Sequence, residues 1–595
     1  MFKFFNHSIL CKTTEVKIKA YLFDIIFLLL LLYLSSKTLI PIQGDISLGN
    51  IIQRVINFTW LSSPLLFLYF LLRACRLPVL LCSYLLFSII IIISFINDTK
   101  IALTNEPLSF NDIISGVNLT VASRYLTLWP LLAGISLILG VVISTFLSKR
   151  IITTRKNYIC ILFCLIVSFP YSFSPYAEVI FGKDSNISQS ITKQAIKHDV
   201  VYFSWDPLGN VKTHGLPMHL IQTSVRKSIP KTTDTERELY LRKKEGLTSL
   251  ITKHKTIIYI LCESCWYDEK NFKDNFIPLF NQGYTGFRAI SPVYGAGTAN
   301  AEFEMLTGLP SNSDVLSGII YQEYAEAIKQ NADSLASALR LKGFDTFAAH
   351  NNNKTFWRRN VIYEKFGFDK FESLSEMGDL PQKYASTKQP WQWQADDYLL
   401  YNAALQAIKK SNANGNNIFL NLITMSTHGP FQHNNDSGEG VYTYEVHEAI
   451  ERLAQFSANV EEIDPDAIIV VYGDHKPALN KFFYDAGVFS PTLFTKTGAK
   501  DEDFEFKPGL TPKDYGDVPV LIKAKDKNTV QKLITEANNR PFFCVSALID
   551  KNFIQSGLVS FNYNLENYCN NKDDVDYKKI NMTPPWIYSM ALFNN

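Results

Sequence analysis

No strongly basic stripe runs through this 595-residue chain, and its formal net charge is only +2. Nucleic-acid partners call for a concentrated positive face, so that class falls away. Charge of either sign is thin, at 19% of residues against 47% hydrophobic. A small-residue cleavage site is also missing behind the first apolar run, although Lys3, Lys12, Lys17 and Lys19 precede it. A removable signal peptide is therefore not expected, and the run reads as a membrane span that stays attached. Cysteine is scarce, with nine residues. Cys262 and Cys265 have the spacing of a redox pair but no thioredoxin-like pattern around them, and Cys262 reads as packed at a strand end. Cys544 and Cys569 are candidates for a disulfide in an oxidising compartment.

What is present divides the chain sharply. A chain this long exceeds one compact domain. Residues 1–173 are dominated by apolar runs, and five are long enough for the ~20 residues a bilayer crossing takes. They are Ala20–Leu39, Val55–Leu72, Pro78–Ile96, Tyr125–Leu147 and Tyr158–Phe173. Arg73 and Arg76 lie between the second and third runs, and Lys149, Arg150, Arg155 and Lys156 between the fourth and fifth. Cations stay inside, so the tail is expected in the cytoplasm and everything after Phe173 outside. Asp24 and Arg54, near or within spans, read as interfacial charges. Residues 174–248, broken by Pro175, Pro207, Pro217 and Pro230, read as a linker at the membrane surface.

Residues 249–595 read as a separate α/β domain. Thr256–Leu261, Phe344–Ala349, Ile418–Met425 and Ala467–Tyr472 are almost wholly apolar, the mark of strands buried on both faces. Helix patterns such as Ala332–Leu341, closed by Gly343, and Ala395–Lys410 lie between them, which predicts a mostly parallel sheet. Asp517–Ala524 is expected as an edge strand because Pro519 cannot donate to a ladder.

Chemistry-bearing residues stand at one kind of place. Glu263 follows the first strand, His350 the second, His428 the third, and Asp474 with His475 the fourth. Open parallel sheets hold their sites at the carboxyl ends of strands. Each residue alone has an ordinary explanation, as a solvated loop carboxylate or a structural histidine; the joint pattern outweighs those explanations. Thr298 is the candidate nucleophile. Gly295 and Gly297 precede it and Ala299–Leu306 reads as a helix, so it would stand at a helix N-terminus that favours phosphate. The plainer role for Thr298 is a helix cap. A threonine hydroxyl needs a metal or base to attack, and Glu263, Asp474 and His475 can hold the metal.

These residues resemble the lipoteichoic acid synthase family of membrane phosphoglycerol transferases, within the alkaline phosphatase and sulfatase superfamily. The resemblance rests on Cys-Glu-Ser (262–264), Ser-Pro-x-x-Gly-x-Gly-Thr from Ser291 with Glu-Phe-Glu-Met-Leu-Thr-Gly behind it, Lys-Thr-Phe-Trp-Arg-Arg (354–359), Ser-Thr-His-Gly-Pro-Phe (426–431) and Tyr-Gly-Asp-His (472–475). It implies a five-helix transmembrane domain followed by a sulfatase-like extracytoplasmic α/β domain, in the inner membrane of a bacterium. It implies a metal site of Glu263, Thr298, Asp474 and His475, with Mn²⁺ favoured and Mg²⁺ or Zn²⁺ also suited. It makes Thr298 the nucleophile and assigns His350, Trp357, Arg359 and His428 to the substrate, with His428 a candidate acid for the leaving oxygen. Asn352 stands where the family often has an acid. The Cys-x-Pro-x-Arg motif of true sulfatases is absent, which argues against sulfate ester hydrolysis. The activity implied is transfer of phosphoglycerol from a phospholipid, through a phosphothreonine, to a glycan or lipid acceptor in the cell envelope. A phosphoethanolamine transferase acting on lipid A or a surface glycan, a phosphodiesterase and a non-catalytic membrane sensor are the alternatives.

Overall fold

A computed structural model describes residues 61–75, 77–104, 107–114, 185–197, 207–224, 229–247, 254–569 with breaks at 314, 317, 326, 432–437 and 508–509, and 583–593, together with scattered positions between 24 and 30, 139 and 143, and 158 and 181. The chain divides into two compact units, Met1–Ile101 with Glu106–Arg226, and Ala102–Asn105 with Lys227–Asn595.

In the first unit, helix α1 (Ser63–Ala74) is short and apolar, and α2 (Val79–Thr104) follows it. Val79–Ile101 of α2 is the one helix among the described residues long and apolar enough to cross a membrane. The expected spans Ala20–Leu39, Tyr125–Leu147 and Tyr158–Phe173 fall largely outside the described residues, as does Arg54. Asp24 is buried among its protein neighbours. Its Oδ1 accepts from Tyr69 Oη at 2.6 Å and from Arg73 Nε at 2.9 Å, and its Oδ2 accepts from Tyr158 Oη at 2.9 Å. Arg73 Nη2 also donates to Tyr158 Oη at 2.8 Å. Three apolar segments thus meet at one charge pair whose every partner is a neighbour. Asp24→Ala would strand the Arg73 guanidinium, which is 2% exposed. Breaking a buried pair from one side costs on the order of 3–5 kcal/mol, so the melting temperature in detergent should fall sharply. An unchanged melting temperature would show that the pair holds nothing together.

Where a linker is expected, the described residues include helices Asn186–Lys197, Pro207–His214, Leu216–Ser224 and Asp234–Leu247. Pro207 and Pro217 occupy first-turn positions of two of them, where the missing N–H costs nothing. The prolines start these helices rather than break them.

The second unit is built on an eight-stranded sheet in the order β10-β2-β9-β6-β1-β5-β3-β4. Its strands are β1 (Thr256–Cys262), β2 (Thr285–Ile290), β3 (Phe344–His350), β4 (Lys370–Ser373), β5 (Asn417–Ile423), β6 (Ile468–Gly473), β9 (Asp517–Lys523) and β10 (Arg540–Pro541); β7 (Phe494–Lys496) and β8 (Phe504–Phe506) form a separate hairpin. The block β6-β1-β5-β3-β4 is wholly parallel, and β9 alone runs antiparallel to its neighbours. Every residue of β1 and β6 is buried, which is why those segments show no polar alternation. Helices α3 (Thr298–Thr307), α4 (Arg359–Lys365), α5 (Asp397–Ala413) and α6 (Glu439–Ile463) carry or support the site.

The expectation that residues 517–524 form an edge strand is wrong. Strand β9 lies between β2 and β6. Its ladder with β6 ends at the pair Tyr472–Val520, so Pro519 stands one residue past that ladder and its missing N–H goes unneeded there. Gly473, the last residue of β6, is required by close approach: a Cβ on it would lie 2.0 Å from the Cys265 carbonyl oxygen.

Candidate active site and metal centre

Register brings two carboxylates together. The last pair between β1 and β6 is Cys262 with Gly473, so the next residue on each strand, Glu263 and Asp474, leaves the sheet side by side. His475 follows, and the ligand atoms of Glu263, Asp474 and His475 lie within 4.8 Å of one another. His475 Nε2 is 3.2 Å from Asp474 Oδ2 and 3.5 Å from Glu263 Oε1. The Thr298 hydroxyl donates to Glu263 Oε2 at 3.3 Å. Thus the structure brings together the four residues expected to hold a metal.

Their donor set fits a divalent cation. Burial, and then the Asp474 charge, push the Glu263 carboxyl up to about 8, so two such groups this close call for a cation between them. Asp474 Oδ2 and His475 Nε2 are buried with no hydrogen-bond partner. His475 Nδ1 is 2.9 Å from the Lys476 carbonyl oxygen. A carbonyl only accepts, so Nδ1 carries the hydrogen and Nε2 presents a lone pair inward, as a metal-binding imidazole requires. Two carboxylates, one imidazole and a hydroxyl suit Mn²⁺, Mg²⁺ or Zn²⁺.

The surrounding backbone is tied to these ligands. Asp474 Oδ1 accepts from the Ser264 N–H at 2.7 Å, and the Ser264 hydroxyl donates to Glu263 Oε1 at 3.0 Å. Thr424 Oγ1 accepts from the Glu263 N–H at 2.9 Å, and the Thr427 hydroxyl donates to the Glu263 carbonyl. Cys262 and Cys265 are joined in a disulfide that brackets Glu263 and Ser264, so the pair is cross-linked, not merely packed. Cys544 and Cys569 are likewise bonded.

Thr298 is not a cap. The cap position is Gly297, at φ +85, and Thr298 is the first helical residue of α3, with no side-chain capping bond at this end. A Cβ on Gly297 would lie 2.9 Å from Val293 Cγ1, so both conformation and space demand glycine. The Thr298 hydroxyl is left free for Glu263 at the start of the helix.

On the β3 side, the segment leading into α4 has an unusual backbone. Trp357 and Arg358 both have left-handed backbones, at φ 54 and 56, before Arg359 opens α4. Such conformations cost on the order of 1–3 kcal/mol each and cluster at binding sites. Arg359 is 1% exposed, its Nε donates to Glu302 Oε2 at 3.0 Å, and Nη1 and Nη2 are buried without partners. His350 Nδ1 is 3.0 Å from the Ile423 carbonyl, which assigns the hydrogen to Nδ1, and Nε2 is buried and unpartnered. Burial, and then Arg359, hold this imidazole well below its usual range, so it is neutral. Phe356 stacks over His350 at 6.2 Å and Trp357 packs against Phe356 at 5.3 Å. Asn352 is half-buried, with Nδ2 3.7 Å from Met425 Sδ.

His428 is half-buried, and its Nδ1 lies 2.7 Å from the Gly429 carbonyl. Among the described residues, no hydrogen bond joins it to Thr298 or to the carboxylate pair. Burial lowers its pKa, so the neutral ring offers Nε2 as a base more readily than it offers a proton. Asp397 has no counterpart in the sequence reading. It is fully buried, and its Oδ1 accepts from Asn351 Nδ2 at 2.9 Å and from the Met425 and Ser426 N–H groups at 2.8 and 3.2 Å. It therefore ties the loop after β3 to the loop that carries His428. The available signal was the Asp396-Asp397 pair: Asp396 caps α5, which leaves the second aspartate for a tertiary task.

Residues 255–550 match the family model described as Sulfatase. The chain is 27% identical over 267 residues to a Rhizobium meliloti protein named for cyclic beta-1,2-glucan modification, covering 41% of this chain and 39% of that protein. It is 26% identical over 252 residues to the lipoteichoic acid synthase of Staphylococcus saprophyticus, covering 38% and 36%. The matched stretch thus spans under two fifths of either relative. A Streptococcus pyogenes phosphoglycerol transferase solved with sn-glycerol-1-phosphate overlays with a TM-score of 0.41 at 17% identity, covering 60% of this chain and 92% of that one. Residues 255–550 thus form a Sulfatase-family domain, and the chain is similar over part of its length to lipoteichoic acid synthases.

Proposed function

We propose that the chain is a membrane-anchored, metal-dependent transferase that moves phosphoglycerol from phosphatidylglycerol to a glycan or lipid acceptor of the cell envelope, through a phosphothreonine at Thr298. The observation that carries this reading is the Thr298 hydroxyl, 3.3 Å from Glu263 at a helix start, in the same domain as an arginine with two idle buried nitrogens. Glu263, Asp474, His475 and Thr298 would hold the cation, which supplies positive charge against the hydroxyl and the phosphoryl oxygens. Thr298 Oγ1 attacks phosphorus, the Oγ1–P bond forms, and the bond to the diacylglycerol oxygen breaks. Arg359 binds the phosphoryl oxygens through Nη1 and Nη2, and Trp357 with Asn352 borders the glycerol. The acceptor hydroxyl then attacks the phosphothreonine, and neutral His428 takes its proton. In the first half-reaction the ring relays the Thr298 hydroxyl proton to the departing diacylglycerol oxygen, and in the second it passes the acceptor's proton to Thr298 Oγ1 as the Oγ1–P bond breaks.

The glucan-related name of the Rhizobium meliloti relative supports a glycan acceptor. The meeting of Asp24, Arg73 and Tyr158 supports the topology, because all three lie at ends of apolar runs that the loop charges assign to the cytoplasm. The test is the mass of the Thr298 peptide after incubation of the full chain with phosphatidylglycerol or phosphatidylethanolamine. A phosphoglycerol adduct is expected from the first lipid only. A phosphoethanolamine adduct would reassign the headgroup, and no adduct under turnover would remove the covalent step.

A further inference from the structure

Glu302 lies one helical turn beyond Thr298 on α3 and is wholly buried. Its Oε2 accepts from Arg359 Nε at 3.0 Å and its Oε1 from the Tyr321 hydroxyl at 3.1 Å. The carboxylate thus grips one edge of the guanidinium and leaves the opposite edge, Nη1 and Nη2, buried and unpartnered. The other titratable groups around the pair add no charge. Burial first, and the Glu302 carboxylate second, push the Tyr321 and Tyr363 phenols well above their usual range, so both stay neutral. His350 is neutral as well. Arg359 therefore meets a phosphate with its charge already matched by one buried anion.

We infer that Glu302 is a specificity-determining residue: by matching the charge of Arg359 in advance, it restricts the Nη face to singly charged phosphodiesters and disfavours doubly charged phosphomonoesters. This rests on reading Thr298 and Arg359 as the phosphoryl site. A single charge settles on the idle edge with its field largely balanced. A second charge finds no further cation on the arginine side of the site, where uncompensated charge is costly. The chemistry has a use for that bias. The lipid donor, the phosphothreonine and the transferred product are all diesters with one negative charge. A free phosphomonoester, with a second pKa near ~6, carries nearly two at neutral pH. It is what hydrolysis would release, and a site balanced this way would not retain it.

The experiment uses the full chain in detergent with Mn²⁺. Its readouts are kcat/KM for bis(p-nitrophenyl) phosphate and p-nitrophenyl phosphate, and calorimetric Kd values for glycerophosphoglycerol and sn-glycerol-1-phosphate. The unaltered protein should favour the diester in both. E302Q and E302M remove the charge at similar volume, and each should lower the diester-to-monoester ratio by about tenfold, the scale of one partly buried unit charge. Y321F removes one further bond to Glu302 without altering charge and should leave the ratio unchanged, even where both rates fall. Monoester preference in the unaltered protein overturns the inference, whatever the variants do. So does an unchanged ratio in a variant that melts cooperatively. If neither ester is cleaved yet the diester binds more tightly, the reading of Thr298 as nucleophile fails while the role of Glu302 stands.

Discussion

Thr298→Asn should be inactive, with transfer reduced on the order of 10³-fold or more, the scale on which losing a catalytic nucleophile acts. The structure makes this substitution unusually clean. Gly297 holds the cap position and the Thr298 hydroxyl makes no capping bond, so neither Asn nor Ala removes an interaction that α3 depends on. The stability change should stay within about 1 kcal/mol, the range of helix propensities. Thr298→Ser keeps a hydroxyl in the same place and should retain part of the turnover. Circular-dichroism melts alongside rate measurements separate the effects. An active Asn variant would refute covalent catalysis and leave direct attack by the acceptor or water.

Asp474→Asn should lose the metal and the activity together. Asn retains an oxygen that can accept from the Ser264 N–H, as Asp474 Oδ1 does at 2.7 Å, so the local turn should survive. What disappears is the anionic charge beside Glu263 and His475 Nε2. Partners one step removed from a metal typically contribute 10–100-fold in affinity, and a direct ligand should exceed about 100-fold. Metal content per chain, measured after dialysis against trace Mn²⁺, should fall from about one to near zero while the melting curve stays cooperative. Full occupancy in the Asn variant would remove Asp474 from the ligand set.

The parts of the site legible in the sequence are those set by strand ends. Glu263, His350 and Asp474 stand where near-continuous apolar runs stop, and a parallel sheet puts all such stops on one edge. The supports were less visible because their meaning is tertiary. Glu302 reads as one polar residue on a helix until Arg359, 57 positions away, is placed against it. The long helix α6 has no counterpart in the sequence reading either, since Glu445 and Arg452 fall on its buried face and blur the apolar stripe. Pro519 was rightly read as lacking a donor; only the register with β6 shows where that lack is harmless. The prolines at 207 and 217 teach the same lesson at helix starts.

The place of β1 in the sheet also dictates an order of assembly. Among the described residues it is the earliest strand, yet it sits in the interior of the sheet, between β5 and β6. Glu263 meets Thr424 across 161 residues, and Ser264 meets Asp474 across 210. Neither partner exists until the chain has grown that far, which at ~5–20 residues per second takes on the order of ten to forty seconds. Throughout that interval the strand Thr-Ile-Ile-Tyr-Ile-Leu-Cys is an unpaired apolar template of the kind that aggregates. Slowing aggregation during synthesis should therefore raise the yield of this domain more than raising its final stability.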